Sequence, residues 1–440
     1  MGNQDLLARS LQAVWHPCTQ MKSHETLPLV PIQRGEGVWL YDMDGKRYLD
    51  AVSSWWVNLF GHSNPRIKAA IKEQLDQLEH VILAGFTHEP VVQLSERLSV
   101  LTGLGHCFYA SDGASAIEIA LKMSFHYWRN TGHPDKTRFI SLQNSYHGET
   151  LGALSVTDVA LFKDTYAPLL RQSAQVRSPD WRLAERGESA EDYARRCANE
   201  LEAYIAEHHH ETAAFIVEPL VQCAAGMGMY HAIYLKCARE ICDQYQVHLI
   251  ADEIAVGFGR TGTMFACEQA GISPDFMCLS KGISGGYLPL SVTLTTEKIY
   301  QAFYHDDVSH GFLHSHSYTG NALACSAALA TLDIFEQDHV LQKNLEKAAY
   351  LNNKMRALTD LPSRHLQVRH LRNTGMIWAF DVETNNRQFQ RDFYQAALQR
   401  GLLLRPIGNT VYFMPPYVIS EPEMDWMVEQ TQQLLAKITP

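Results

Sequence analysis

The feature that most constrains how this 440-residue chain can fold is an alternation that begins near residue 104. Short apolar runs at His106–Ala110, Arg138–Leu142, Ala213–Val217, Val247–Ala251, Asp275–Leu279 and Ser291–Thr295 are separated by helix-like segments such as Ala116–Trp128 and Ala232–Tyr245. Strands that are apolar along their whole length suit a sheet buried on both faces. The pattern therefore predicts an α/β fold, a mostly parallel central sheet covered by helices. Hydrophobic residues make up 46% of the chain, enough to fill such a core.

The flanks read differently. Val38–Val52 predicts a hairpin turning at Asp44-Gly45. Asn64-Pro65 opens a helix with Ile67, Ile71, Leu75 and Leu78 on one face. Beyond residue 333, amphipathic helices at 343–358, 387–400 and 421–437 frame two short strands, Met376–Val382 and Val411–Met414. The expected organisation is an N-terminal segment (1–60), a large domain (61–332) and a small α+β domain (333–440) that the N-terminal hairpin joins.

The formal charge of −11 excludes the basic stripe of a nucleic-acid binder and does not favour an anionic membrane face. The longest stretch without Asp, Glu, Lys or Arg, Val308–Leu332, contains His310, His314, His316 and Asn321 and is too polar to span a bilayer. Met1–Leu6 reads as neither a secretory signal nor a myristoylation motif. Nine cysteines without a C-x-x-C pair read as reduced thiols of a cytoplasmic protein.

In open α/β sheets, ligands sit beyond the carboxyl ends of the strands, so the residues that follow each apolar run are the candidates. Ser111-Asp112-Gly113-Ala114 opens a helix after HCFYA; it either cradles a phosphate or is an ordinary capped helix start. Asp252 ends a buried strand, where a carboxylate needs a partner: a protonated ring nitrogen, a metal or a structural ion pair. Lys281 follows DFMCLS and is either a Schiff-base nucleophile of lowered pKa or a snorkelling lysine. Tyr146, after RFISL, either lies on a planar ligand or packs in a loop. Phosphate cup, aromatic, carboxylate and amine, together at strand ends, are the equipment that holds pyridoxal 5′-phosphate. Two other patterns are decoys. Gly257-Phe258-Gly259-Arg260-Thr261-Gly262 matches G-x-G-x-x-G, but the acid expected about twenty residues on is missing. His208-His209-His210 cannot all point one way on a helix, and no H-E-x-x-H accompanies the histidines at 305–316.

The chain resembles the class III, fold type I pyridoxal-phosphate aminotransferases over nearly its whole length. The class motifs are LIADEIAVGFGRTG (249–262) and SKGISGG (280–286). Its other motifs, VWHPCTQM (14–21), SSWW (53–56), NSYHG (144–148), HSHSYTGN (314–321), LLRPIG (403–408) and YFMPPY (412–417), resemble those of the subfamily that aminates 8-amino-7-oxononanoate with S-adenosylmethionine in biotin biosynthesis. The resemblance implies that Lys281 bonds the cofactor, Asp252 pairs with its pyridine nitrogen, and Tyr146 and Ile254 cover the two ring faces. It also implies that Gly113 and Ala114 hold the phosphate and that Glu218 lies near the ring. A homodimer is implied in which His316 and Ser317 come from the other subunit, which accounts for the charge-free stretch. Trp55, Tyr146, Ser315 and Arg405 match substrate-contacting positions, with Arg405 forking onto a carboxylate. One position departs from the family motif: Cys18 stands where a tyrosine of the donor and substrate pocket is usual. Most relatives use S-adenosylmethionine; some use lysine and also differ here, so the resemblance leaves both donors open. The alternatives are an aminotransferase for general ω-amino acids and a non-catalytic protein on the same fold.

Overall fold

The apolar runs assemble into a seven-stranded sheet. In the computed structural model, which describes residues 2–27, 29–359 and 366–437, the strand order is His106–Ala110, Ser291–Thr295, Phe276–Leu279, His248–Asp252, Thr212–Val217, Arg138–Leu142, Ala174–Val176. Only Ser291–Thr295 runs antiparallel to its neighbours. The protein is thus α/β with a mostly parallel sheet. Central strands are buried on both faces: Phe215, Ile216, Leu249 and Ile250 are each 0% exposed. Each such side chain contributes about 1.5–3 kcal/mol by leaving water.

The helix Gly113–Asn130 lays Ile117, Ala120 and Trp128 against Ala213, Ile250 and Phe276, and the Trp128 indole donates to the Ala213 carbonyl at 2.9 Å. These contacts belong to a compact unit spanning Arg66–Lys343. The strand Ala174–Val176 has only three residues, too few for the sequence pattern to reveal.

The second unit combines Met1–Pro65 with Asn344–Pro440. The hairpin forms with Trp39–Asp42 against Arg47–Asp50, and Leu402–Leu403 adds in parallel beside Leu49 and Asp50, stitching the two chain ends together. Gly401 allows that approach: a Cβ there would lie 2.7 Å from the Arg47 carbonyl oxygen. A three-stranded antiparallel sheet, Gln367–Thr374, Ile377–Glu383 and Thr410–Phe413, completes the unit. The first of these escaped the sequence reading because its edge position lets polar side chains fill it (QVRHLRNT). The helix from Pro65 ends at Leu75, sooner than its apolar spacing suggests. Gln74 folds back to donate to the Leu78 carbonyl, and Leu75 is left exposed. Among the described residues, no helix is long and apolar enough to cross a membrane.

Candidate active site

In the large unit, sheet order sets four chemical groups side by side. The adjacent strands Arg138–Leu142, Thr212–Val217, His248–Asp252 and Phe276–Leu279 lead at their carboxyl ends into Tyr146 and His147, Glu218, Asp252, and Lys281. Asp252 is 5% exposed, and its Oδ2 lies 2.7 Å from Nδ1 of His147, itself buried. Its other oxygen accepts from the Ile254 amide. The partner that a buried carboxylate requires is therefore a histidine. Sequence reading passed over His147, although it sits in the same NSYHG motif as Tyr146. The usable signal was that motif's place at a strand end two strands away from Asp252.

Glu218 accepts from the backbone amides of Tyr146 and Cys223, at 3.0 and 3.2 Å, so it pins the loop that carries Tyr146. Burial, then the Asp252 charge, push its carboxyl well above the usual range. Lys281 begins a short turn with a left-handed φ of 45°, a conformation that costs a non-glycine residue free energy and recurs at functional sites. Burial lowers its ammonium pKa, and the charges of Asp252, Cys223 and Glu218 oppose that shift. The Tyr146 hydroxyl donates to Glu149 at 2.9 Å, and its ring lies 5.3 Å from that of Phe162.

Asp112 caps the helix that starts at Gly113, accepting from the Ser115 amide at 3.0 Å. The first-turn amides of Gly113 and Ala114 have no intrahelical acceptor. A Cβ on Gly113 would touch Ile254 at 3.0 Å, and one on Gly148 would collide with Ala114 at 2.6 Å, so backbone lies close to both residues. Ser315, His316 and Ser317 lie in a separate loop. Ser315 and Ser317 are exposed, and the His316 ring meets His314 at 3.3 Å between Nε2 atoms.

In the small unit, Cys18 and Arg405 share the wall of a cavity of about 650 Å³, with Tyr394 and Arg391. The half-buried Arg405 guanidinium stacks over Trp55 and Tyr394, 5.5 and 5.9 Å from their ring centroids. No carboxylate pairs with it among the described residues, which leaves its planar fork for a ligand carboxylate. Trp55 belongs to a turn, Ser53–Trp56, in which all four residues have positive φ. Each costs on the order of 1–2 kcal/mol in that conformation, so the turn exists only because other bonds hold it.

An amine, a carboxylate and a helix start set at the carboxyl ends of a mostly parallel sheet define a pyridoxal-phosphate-dependent transferase. The chain belongs to the class III aminotransferases, whose family model matches residues 20–435. It is 48% identical to the adenosylmethionine-8-amino-7-oxononanoate aminotransferase of Helicobacter pylori over 99% of this chain and 98% of that one. Identity to the enzyme of the same name from Geobacter sulfurreducens is 41%, over 97% and 96%. Among solved structures, the Methanocaldococcus jannaschii enzyme of that name superposes with a TM-score of 0.92 at 36% identity, covering 99% of this chain and all of that one. The omega transaminase of Pseudomonas jessenii, solved with PMP, reaches the same TM-score at 30% identity, covering 98% and 97%.

Proposed function

We propose that the enzyme transfers an amino group from S-adenosylmethionine to the ketone of 8-amino-7-oxononanoate, giving 7,8-diaminononanoate for biotin biosynthesis and leaving the donor as its 2-oxo acid. The observation that carries this reading is near-full-length identity of up to 48% to enzymes named for that reaction. Backbone superposition cannot separate substrates here, since an omega transaminase overlays equally well; the discrimination comes from the side chains in the small unit.

The cofactor is pyridoxal 5′-phosphate, and the residues at the strand ends fit it. The amides of Gly113 and Ala114 suit the phosphate, the close packing of Gly113 on Ile254 and of Gly148 on Ala114 holds the helix start and the Tyr146 loop together, and Lys281 supplies the amine. When bound, this cofactor supplies an electron sink beside the amine carbon of the substrate. Asp252, oriented by His147, would face the ring nitrogen and favour its protonated form. Tyr146 and Ile254 would cover the ring faces, and Glu218 fixes the Tyr146 loop. Lys281 Nζ, its pKa lowered by burial, takes the proton from the donor carbon and returns one to the acceptor carbon. Arg405 grips the carboxylate, with Trp55, Tyr146 and Ser315 against the substrate.

The active unit is read as a cytoplasmic homodimer in which His316 and Ser317 complete the phosphate site of the other subunit. Supporting this, Val308, Leu313 and Tyr318 of the charge-free stretch, with Ile82 and Phe86, are all more than half exposed in the single chain. Cys18 favours a second reading of the donor, lysine, because it replaces an aromatic hydroxyl in the donor pocket. Mixing the yellow enzyme with each donor and following the loss of cofactor colour tests both. Failure of both to discharge the colour would remove the substrate assignment. Rescue of a biotin auxotroph lacking this step separates it from a general ω-amino acid enzyme.

A further inference from the structure

The turn that carries Trp55 is an unusual piece of backbone. Ser53, Ser54, Trp55 and Trp56 have φ values of 51°, 47°, 74° and 72°, and none is a glycine. The turn closes on itself through Trp56 N–H to the Val52 carbonyl at 2.9 Å and Val57 N–H to the Ser53 carbonyl at 3.1 Å. Those bonds are local and do not by themselves choose the left-handed form, which an L-residue avoids.

The choice is made by Asp50, the last residue of the strand Arg47–Asp50, which is 0% exposed. Its Oδ1 accepts from the Ser54 amide at 2.9 Å and the Val52 amide at 3.3 Å. Its Oδ2 accepts from the Ser54 hydroxyl at 2.7 Å and faces Nε2 of His62 at 3.0 Å. The histidine is fixed in turn. Asn58 Nδ2 donates to its Nδ1 at 3.1 Å, so Nε2 carries the proton offered to Asp50. Its backbone exchanges two hydrogen bonds with Gly37, at 2.7 and 3.1 Å. Gly35 packs flat on it, since a Cβ there would come within 2.6 Å of the His62 Cβ. Two further bonds anchor the far side, Ser53 Oγ to the Met414 carbonyl at 2.7 Å and Trp56 Nε1 to the Tyr412 hydroxyl at 3.1 Å. The outcome is that Trp56 is buried while Trp55, one residue earlier, is half exposed with its ring facing the Arg405 guanidinium.

We propose that Asp50, braced by His62, is a positioning residue for the acceptor: it holds the Ser53–Trp56 turn left-handed and thereby sets the Trp55 indole against Arg405, which fixes the orientation of the guanidinium that receives the acceptor's carboxylate. This rests on the reading of Arg405 as the carboxylate ligand. Asp50 touches no substrate. Its effect on turnover passes through the Trp55 indole, and through it the Arg405 guanidinium, and so it is largest for substrates that carry the carboxylate.

The test uses the intact holoenzyme with Asp50→Asn and Ser54→Ala, each alone and combined with Arg405→Ala. An asparagine at 50 must turn its amide N–H groups either toward the Ser54 hydroxyl and His62 Nε2 or toward the Val52 and Ser54 amides, all of which now donate to the carboxylate. Ser54→Ala removes one bond and leaves the carboxylate, and it stands in should Asp50→Asn not accumulate as folded protein. Asp50→Asn is expected to raise the KM for 8-amino-7-oxononanoate about tenfold or more, the scale of a lost hydrogen bond to a charged group, with a smaller change in kcat. Ser54→Ala is expected to raise it about threefold. Replacing Ser54 by glycine in the Asp50→Asn enzyme should recover part of the loss, because glycine adopts positive φ freely. In the Arg405→Ala background each substitution should change the acceptor KM by clearly less than in the wild-type background, leaving only what passes through the direct contact of Trp55 with the substrate. The proposal is overturned if Asp50→Asn and Ser54→Ala both leave the acceptor KM unchanged, or if their effect is equally large without Arg405. An Arg405→Ala enzyme whose acceptor KM equals that of wild type overturns the carboxylate reading itself, and this proposal with it.

Discussion

The two units solve the problem of placing a reactive side chain in opposite ways. In the large unit the groups sit at the ends of regular strands. Parallel hydrogen bonding puts successive carboxyl ends along one edge of the sheet, so Glu218, Asp252 and Lys281 come side by side from unstrained central strands, and only Lys281 has a left-handed φ. In the small unit Trp55 is held by four consecutive left-handed residues and a buried carboxylate, and Arg405 by two aromatic rings. The first arrangement is generic to the architecture and suits the cofactor, which every member of the class shares. The second is costly, local and adjustable, which suits the substrate-binding role proposed for it.

Substitutions in the two units should therefore fail differently. The largest effect is expected at Lys281: Lys281→Ala should lower transamination by about 10³-fold or more for every donor and acceptor alike, as removal of a covalent and proton-transferring group does. A loss confined to one substrate would break the division between the units. Arg405→Lys should raise the acceptor KM by about 10- to 100-fold, since an ammonium cannot replace the bidentate fork. The rate at which an amine donor lacking a carboxylate discharges the cofactor colour should change little; an equal loss in both assays would show that Arg405 serves the shared chemistry instead.

Two buried groups of the large unit give opposed pH dependences. His248, stacked on Trp128 with ring centroids 4.5 Å apart, has its pKa pushed down to about 4 by burial. Its contribution to stability is present above about pH 6.5 and is lost as pH falls toward 4. Glu253, which accepts from the Ala266 and Cys267 amides, has its carboxyl pushed up to about 7 by burial. Its contribution is present below about pH 4.5 and is lost as pH rises through 7. The slopes oppose one another at up to about 1.4 kcal/mol per pH unit each. Thermal melts between pH 4 and 7 should show His248→Asn losing more stability than wild type as pH rises, and Glu253→Gln losing more as pH falls. Identical slopes in both variants would show that neither group titrates differently on folding.

The smallest effect is expected at Cys18. Cys18→Tyr should shift the ratio of colour discharge by S-adenosylmethionine to that by lysine by a few-fold, the scale of one hydroxyl contact, with the acceptor KM nearly constant. An unchanged donor ratio removes Cys18 from the choice of donor.

Much of the large unit was legible because its rule is local. Continuous apolar runs bounded by turns mark buried strands, and all six expected runs coincide with observed strands to within one residue at each end, while Asp252 and Lys281 follow directly from position at a strand end. The hairpin at Asp44-Gly45 was legible for the same reason. The His147–Asp252 contact was not, because it joins the loop after one strand to the last residue of a non-adjacent strand, and strand order is set by packing.

The sequence by itself determined the class of fold, the presence of a strand-end lysine and aspartate, and the motifs that tie the chain to the class III aminotransferases. Periodicity, turn chemistry and motif spacing are properties of neighbouring residues, and neighbouring residues are what a sequence records. Only the tertiary structure decided that SSWW winds left-handed, that Asp50 and His62 hold it so, and that Arg405 faces the indole. A left-handed turn of serines and tryptophans is disfavoured by every local preference, and it persists because the hydrogen bonds it donates to Asp50 and, far along the chain, to Tyr412 and Met414 outweigh that preference.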